Sequence, residues 1–188
     1  MRGYGLGEML LVVAATSAEL RGADGAATLV CGVGPVEAAA RTAAGLARAR
    51  PGAVLHVGIA GARAFEAPVV VVGREAVYCD ADDARWIELR AGADDALVAA
   101  AVRALPDARV EPIGTTARVG GSLGCDAEAM EGYAVLRACA LAAVPAVEVR
   151  VVANAIAEPD RSRWRFTEAL DLLAARLPRL VEELGADA

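Results

Sequence analysis

Short apolar runs alternate along this chain of 188 residues with longer segments in which apolar residues recur every three or four positions. The runs have the length of buried strands, whereas the periodic segments are typical of helices with one covered face. We therefore predict strands at residues 9–15, 27–34, 53–62, 67–73, 108–114 and 146–156, and helices at residues 35–49, 94–105, 126–140 and 167–185.

Several of these segments begin or continue with residues that shape helices. Pro35 stands at the first position of its helix, where the missing amide proton removes no hydrogen bond. Asp126 is predicted to cap the N-terminus of the helix 126–140. Pro178 is expected to kink the last helix.

The order of these elements predicts an α/β fold, a three-layer α/β/α sandwich with a central mixed, mostly parallel sheet. We assign residues 1–188 to a single domain, with residues 1–8 as a loose N-terminal extension. Hydrophobic residues make up 56% of the sequence and aromatic residues 4%, so valine, leucine and alanine must build the interior. This composition favours a sheet covered by helices on both faces. Ligands of such a sheet are expected where its strands end.

Charge and cysteine content argue against several classes of partner. The 25 acidic and 19 basic side chains give a net charge of −6, which disfavours nucleic acid. Cys31, Cys79, Cys125 and Cys139 show no C-x-x-C spacing and His56 is the only histidine, so we predict reduced thiols, a core histidine and no metal site. The apolar runs are too short for a membrane span, and the first is too short for a signal peptide. We expect a cytoplasmic protein that does not bind membranes.

Polar residues and a glycine turn fall where the predicted strands end. Glu19 follows the first strand, and the turn "CGVGP" follows the second. Glu131 lies in the segment after the glycine-rich loop "GTTARVGGSLG", and Asn154 lies near the end of the strand "AVEVRVVANAI". Together they indicate a ligand site. The alternative for Asn154 is a turn former, and a lone GxG turn is weak evidence for phosphate binding.

The acidic residues also have structural explanations. Glu19 has the alternative of a solvated loop carboxylate. Glu131 is surrounded by apolar residues, and it has the alternative of a buried ion pair with Arg137 or Arg150. Glu148 and Arg150 stand two positions apart on one strand and are predicted to pair on one of its faces.

Taken in order, these features resemble the purine nucleoside phosphorylase and nucleosidase superfamily over nearly the whole chain. The most specific part is "AMEGYAV" followed by "VPAVEVRVVAN". Within that superfamily the segment "ANAIAEPDRSRW" is most similar to the futalosine hydrolases of a menaquinone route. The resemblance implies a nucleosidase fold.

The resemblance also implies roles for the acidic residues. Glu131 would accept hydrogen bonds from the ribose 2′- and 3′-hydroxyls, and Met130 would pack beside the sugar. Glu19 matches the general base that deprotonates the water attacking C1′. A carboxylate there would also stabilise the positive charge that develops as the glycosidic bond breaks.

Two further positions bear on the base and the nucleophile. An aspartate stands in adenine nucleosidases where this chain has Asn154, whose amide can donate to a 6-oxo group and accept from a proton on N7. Hypoxanthine or guanine is therefore favoured over adenine. Ile59 occupies the place of a phosphate-binding serine of the phosphorylases, so water is favoured over phosphate.

The rest of the predicted pocket comes from the glycine-rich loop and from the segment before the last helix. Arg118 is expected against the purine or a substrate carboxylate, with a solvated loop arginine as the alternative, and Val119 is expected to contact substrate. Trp164 matches an aromatic lid over the 5′ substituent, with a core tryptophan as the alternative. Arg161 and Arg163 are candidates for the benzoate of futalosine.

The sequence thus predicts a purine nucleoside hydrolase that splits futalosine into hypoxanthine and the dehypoxanthinyl sugar, without metal or organic cofactor. The resemblance suggests a homo-oligomer built on a dimer. A second enzymatic interpretation is a nucleosidase for methylthioadenosine or adenosylhomocysteine. A third is a non-catalytic dinucleotide-binding module that uses "CGVGPVEAA", although Glu37 occupies the position of the third glycine.

Overall fold

The computed structural model describes residues 9–122 and 124–186. Within them, eight strands form one sheet. The strands are β1 Leu10–Ala14, β2 Ala27–Val30, β3 Ala53–Ala62, β4 Val70–Tyr78, β5 Arg90–Gly92, β6 Arg109–Thr115, β7 Ala127–Ala129 and β8 Ala146–Ala155. The α-helices are α1 Pro35–Ala49, α2 Asp95–Ala104, α3 Gly132–Leu141 and α4 Phe166–Ala186. Two short 3-10 turns lie at Ser17–Leu20 and Arg161–Arg163.

The sheet is mixed and mostly parallel, as predicted. β1 pairs in parallel with β2 and β3, β3 with β8, and β6 with β4 and β7. The antiparallel pairs are β4 with β8, β4 with β5, and β3 with β7. Because the parallel strands run together, the carboxyl ends of β1, β3 and β8 meet at one edge of the sheet.

Helices cover both faces of this sheet and confirm the α/β/α sandwich. Alternate residues of β1 point to opposite faces. Leu10 and Val12 pack in the core cluster that contains α2 and α4, whereas Leu11 and Val13 pack in the cluster that contains α1 and α3. Strands buried on both faces explain why their sequences are continuous apolar runs.

The prediction of one helix over residues 126–140 is wrong. Ala127–Ala129 is strand β7, which pairs with β3 and β6, and the helix begins only at Gly132 with Glu131 at its N-cap position. Asp126 therefore does not cap the helix. The alanine-rich sequence suits a helix by propensity, but pairing on two sides at the centre of the sheet overrides that weak preference.

Other boundaries differ less. Strand β4 continues to Tyr78, beyond the predicted end at residue 73, and the short strand β5 was not predicted. Helix α4 continues through Pro178. The predicted N-terminal extension, residues 1–8, lies outside the described residues. No described helix is long and apolar enough to cross a bilayer.

Candidate active site

A cavity of about 390 Å³ opens where the strands end. Its wall contains residues that follow β1, the last residues of β3 and β8, and the segment between β7 and α3. The mouth is formed by exposed residues before and within the first turn of α4 and by Val33 of the glycine turn. Except for Arg118 and Arg163, every predicted site residue lines this cavity: Glu19, Ile59, Val119, Met130, Glu131, Asn154, Arg161 and Trp164.

Glu19 is buried rather than solvated, with 6% of its surface exposed. One carboxylate oxygen accepts hydrogen bonds from the amide and the hydroxyl of Thr16, each at 2.9 Å. The other accepts the amide of Ile59 at 3.1 Å. These bonds fix the carboxylate at the cavity wall, and the oxygens retain lone pairs for a further donor.

Glu131 is both a cavity residue and an ion-pair partner. Its Oε1 accepts the amide of Gly34 at 3.0 Å, and its Oε2 lies 3.3 Å from Nη2 of Arg150. The alternative of an ion pair is therefore confirmed for Arg150. A carboxylate has about four acceptor sites, so these two bonds leave room for two substrate hydroxyls.

Glu19 and Glu131 form the polar floor of the cavity. Next to this floor lies a buried cluster of charged side chains around Arg150, which is 1% exposed. Its Nε donates to Oε1 of Glu148 at 2.7 Å, so the predicted pairing of Glu148 with Arg150 is confirmed. Burial alone would lower the pKa of Arg150, but Glu148, Glu131 and Glu19 raise it above its ordinary value. Arg150 is therefore the permanent cation of the floor.

His56 is a core residue, as predicted, and it adds no charge to this cluster. Its Nδ1 lies 3.1 Å from the carbonyl oxygen of Val13, which assigns the ring proton to Nδ1 and leaves Nε2 to accept from Nη2 of Arg150. Burial and the charge of Arg150 lower the pKa of His56 well below its ordinary value.

Two glycines make room for these contacts. A Cβ on Gly58 would lie 2.2 Å from Nη1 of Arg150 and 2.7 Å from Oε1 of Glu19. A Cβ on Gly132 would lie 2.1 Å from a carboxylate oxygen of Glu148. Larger residues at these positions would displace the charged groups, so both glycines are required by close packing.

Asn154 is 8% exposed and ends the polar floor of the cavity. Its Nδ2 donates one hydrogen bond to the carbonyl oxygen of Ala155 at 3.0 Å. The second amide hydrogen and the side-chain oxygen remain to meet a ligand. A Cβ on Gly61 would approach Nδ2 to 3.0 Å, so this glycine also shapes the floor.

The remaining wall is largely apolar. Ile59 and Met130 are half-buried, and Val119 is 46% exposed. The ring of Trp164 is held by a hydrogen bond of 3.0 Å from its Nε1 to the carbonyl oxygen of Glu158, and it packs against Phe166 with ring centroids 5.3 Å apart. The two rings are tilted by 52° to each other and give the mouth an aromatic side.

Arg118 lines a separate cavity with Cys79, Asp80 and Asp82. Asp80 accepts hydrogen bonds from the hydroxyl of Thr116 and the amide of Ala117, at 2.9 and 2.6 Å. These bonds tie the start of the glycine-rich loop to the segment after β4, so Arg118 faces that segment while Val119 faces the site. The structure thus corrects the expected placement of Arg118.

Glu128 is a cavity residue that the sequence did not reveal. It is 5% exposed and accepts hydrogen bonds from the amides of Gly120 and Ser122, at 2.5 and 2.8 Å. It therefore fixes the loop that carries Val119. The alternation "AEA" is the strand signal that would have separated Glu128 from the helix.

All four cysteines are free. Cys31, Cys125 and Cys139 are buried, and burial raises their thiol pKa values to about 12, 11 and 12 respectively. In residues 9–122 and 124–186, no group of three or more His, Cys, Asp or Glu side chains is arranged to hold a metal ion.

Comparison with solved structures gives the same fold. The futalosine hydrolase mutant of Helicobacter pylori strain 26695 superposes with a TM-score of 0.85 at 15% identity, over 93% of this chain and 99% of that one. The 5′-methylthioadenosine/S-adenosylhomocysteine nucleosidase of Neisseria meningitidis, in complex with methylthio-immucillin-A, superposes with a TM-score of 0.82 at 20% identity, over 96% and 100% of the chains.

Comparison of sequences finds similarity to futalosine hydrolases over part of the chain. A segment of 61 residues is 43% identical to the futalosine hydrolase of Streptomyces coelicolor, and covers 32% of this chain and 26% of that relative. A segment of 62 residues is 40% identical to the futalosine hydrolase of Thermus thermophilus, and covers 33% and 28%. The matched segments span about a quarter of the length of these curated relatives. The family model of the phosphorylase superfamily matches residues 17–185, and the chain therefore belongs to the phosphorylase superfamily.

Proposed function

We propose that this protein hydrolyses the N-glycosidic bond of futalosine, releasing hypoxanthine and the dehypoxanthinyl sugar, in the futalosine route of menaquinone biosynthesis. The observation that carries the proposal is the convergence of Glu19, Glu131 and Asn154 on one cavity. Two anchored carboxylates and an amide are the groups needed for a water, a ribose and a 6-oxopurine. The enzyme would act in the cytoplasm, without metal or organic cofactor.

In this mechanism Glu19 takes a proton from water as the water oxygen attacks C1′ and the bond to the purine breaks. The leaving base takes its electron pair and is protonated on N7 by solvent water, and the proton held by Glu19 is then released to solvent. Glu131 binds the 2′- and 3′-hydroxyls and holds C1′ within reach of that water. The charge on both carboxylates favours the oxocarbenium-like transition state over the neutral substrate.

Asn154 would select the base. One of its amide hydrogens is used by Ala155, and the second can donate to the 6-oxo group while Oδ1 accepts from the N7 proton. Adenine would place its 6-amino donor against the same amide donor. Such a mismatch can discriminate between bases by orders of magnitude.

Water is favoured over phosphate by the groups around the nucleophile position. Ile59 presents an apolar side chain there, and among the described lining residues Arg161 is the one cation. The amide of Gly34 in the glycine turn is bound to Glu131. A carboxylate at that turn would repel a phosphate, which also argues against the dinucleotide-binding interpretation.

Arg161 is our candidate for the carboxylate of the 5′ substituent. It lines the cavity at its exposed mouth, and its guanidinium lies 5.4 Å from the ring centroid of Trp164. Arg163 is paired with Glu158 at 2.9 Å and lines the neighbouring cavity of about 400 Å³ instead. An aromatic acid could therefore stack beside Trp164 with its carboxylate near Arg161.

The second candidate function is cleavage of methylthioadenosine or adenosylhomocysteine. It is favoured by the fold shared with the nucleosidase of Neisseria meningitidis. Asn154 argues against it, for the reason given above. The two functions differ in the base released, so one assay separates them.

We also propose that the enzyme is a homo-oligomer built on a dimer. Val33 and Val36 are 58% and 81% exposed, and Val33 is at the cavity mouth. A partner subunit would cover these side chains. Light scattering after gel filtration should give twice the chain mass or a multiple of it, whereas a monomer at assay concentrations would contradict the proposal.

The test of the reaction is incubation of the purified protein with futalosine, inosine and methylthioadenosine, each with and without phosphate, followed by chromatography of the released bases. We expect hypoxanthine from futalosine at a rate that does not depend on phosphate. Adenine release would establish the second candidate instead. No release from any of the three would contradict both the proposed function and the cleavage of methylthioadenosine.

A further inference from the structure

Glu148 is a buried carboxylate that does not line the cavity. It is 0% exposed, and its Oε1 accepts Nε of Arg150 at 2.7 Å. Its Oε2 has no hydrogen-bond partner among the described residues. Burying a carboxylate in this way is costly, and the Glu131–Arg150 ion pair alone would give Arg150 a counter-charge. The presence of Glu148 therefore calls for an explanation at the site.

The geometry of Arg150 supplies one. A guanidinium is planar and rigid, so a bond at Nε fixes the directions of Nη1 and Nη2. Nη2 is directed at Glu131 and at Nε2 of His56, and Nη1 lies 3.5 Å from the carbonyl oxygen of Ile59. Nη1 and Oε1 of Glu19 approach the same point, since a Cβ on Gly58 would lie 2.2 Å from the first and 2.7 Å from the second.

The groups around Arg150 also determine how its positive charge is shared. The groups that face it are Glu19, Glu131, Glu148, the neutral His56 and the Cys31 thiol, whose pKa is raised to about 12. One cation is thus shared by three carboxylates. If Glu148 did not take part of this charge, Arg150 would stabilise the ionised forms of the two cavity carboxylates more strongly.

We propose that Glu148 is a positioning residue: through its bond to Nε it holds the Arg150 guanidinium in place beside Glu19 and Glu131, and it takes up part of the charge that Arg150 would otherwise direct at those two carboxylates. The inference of a catalytic effect rests on the proposed glycosidic hydrolysis. The effect on the carboxylates themselves does not.

The first experiment is the pH dependence of kcat/KM in Glu148→Gln. The amide oxygen can still accept Nε of Arg150, so the geometry is kept while the charge is lost. We expect the acid limb of the profile to move down by about one pH unit. We also expect kcat at neutral pH to fall several-fold, because a weaker base accepts the proton of water less readily. KM should change little, since Glu148 does not contact the cavity.

The matched control is Glu75→Gln. Glu75 pairs with Arg90 at the same distance of 2.7 Å, but the pair is partly exposed and lies away from the cavity. This variant should keep the wild-type profile. A second variant, Glu148→Leu, removes the bond to Nε altogether and should reduce kcat further than Glu148→Gln does. A wild-type profile and kcat in Glu148→Gln would overturn the proposal and leave Glu148 with a purely structural role.

A second measurement needs no turnover. Glutamate carboxyl carbons labelled with ¹³C can be titrated by NMR, with the Glu131 signal assigned from its loss in Glu131→Gln. In Glu148→Gln we expect Glu131 to titrate at lower pH than in the wild type. A lowered titration without nucleoside cleavage would retain this inference and reject the proposed function, whereas an unchanged titration would reject the inference even if futalosine is cleaved.

Discussion

At the scale of single residues, the site is defined by how each polar group is held. Both oxygens of Glu19 accept main-chain amides or a hydroxyl, and Glu131 is held by an amide and a guanidinium. Such groups are already positioned without a ligand, so the proposed reaction would need little reorganisation. Substitutions that keep shape but change proton chemistry should therefore affect rate more than binding.

Glu19→Gln is the clearest case. The amide keeps the size of the side chain but cannot take a proton from water, so we expect kcat to fall by about 100-fold or more with KM within a few-fold of the wild type. Steady-state kinetics with futalosine would show this, and isothermal titration would confirm that binding is retained. Undiminished turnover would remove Glu19 from the mechanism.

Asn154→Asp tests base selection. The carboxylate accepts from a 6-amino group, so we expect the ratio of kcat/KM for methylthioadenosine over futalosine to rise by about 10- to 100-fold. The control is Asn154→Ala, which should lower kcat/KM for both substrates without favouring the adenine nucleoside. An unchanged ratio in the aspartate variant would mean that another group reads the base.

At the scale of elements, the apolar runs located the strands because buried strands carry little else. The same reasoning failed at residues 126–131, where small alanines suit either a helix or a strand and only the neighbouring strands decide. Glu19 and Asn154 could be placed at the cavity from the sequence because they lie where predicted strands end. The roles predicted for them and for Glu131 came from the family resemblance. The partnership of Glu131 with Arg150 remained one of two alternatives, because pairing between separate elements is set by the fold.

Helix α3 begins against this cluster, and its first residue should tolerate no side chain. In Gly132→Ala the new methyl group would contact the Glu148 carboxylate, so we expect the free energy of unfolding to fall by about 1–3 kcal/mol. Urea titration would measure this. Gly92→Ala is the control, because nothing lies within 4 Å of a Cβ there, and it should change stability by less than about 0.5 kcal/mol. Equal effects in both variants would contradict the steric argument.

At the scale of the whole molecule, the charged cluster around Arg150 affects the stability of the fold because one of its members, His56, lies in the sheet. His56 belongs to β3, and β3 pairs with β1, β7 and β8. A histidine that stays neutral inside such a sheet must be protonated when the chain unfolds in acid. Stability should therefore depend on pH in a range where few other groups titrate.

The sign of this dependence follows from the lowered pKa of His56. Below about pH 6.5 the unfolded chain binds a proton that the folded protein does not, so stability decreases as pH falls, by at most about 1.4 kcal/mol per unit. Urea unfolding at several pH values should show this slope in the wild type. It should be weaker in His56→Gln, which keeps an acceptor for Arg150 and does not titrate.

Comparing the wild type with His56→Gln separates the effect of His56 on the pH dependence of stability from the effect of Glu148. Burial raises the pKa of Glu148, so that carboxyl acts in the opposite sense, and its contribution to stability decreases as pH rises above about 4.5. Both proteins contain Glu148, and their difference cancels its effect. Identical slopes would show that His56 does not carry the dependence.

The sharing of Arg150 by three carboxylates also determines which inhibitors the cavity should prefer. With Glu19 and Glu131 at the cavity and the guanidinium of Arg150 partly committed to Glu148, we expect a negative electrostatic potential at the proposed sugar position when the carboxylates are ionised. A ligand that carries a positive charge at the position of C1′ should bind more tightly than a neutral isostere of the same shape, and an anionic one more weakly. Drug-like compounds for this site would then be selected first by where they place a cation.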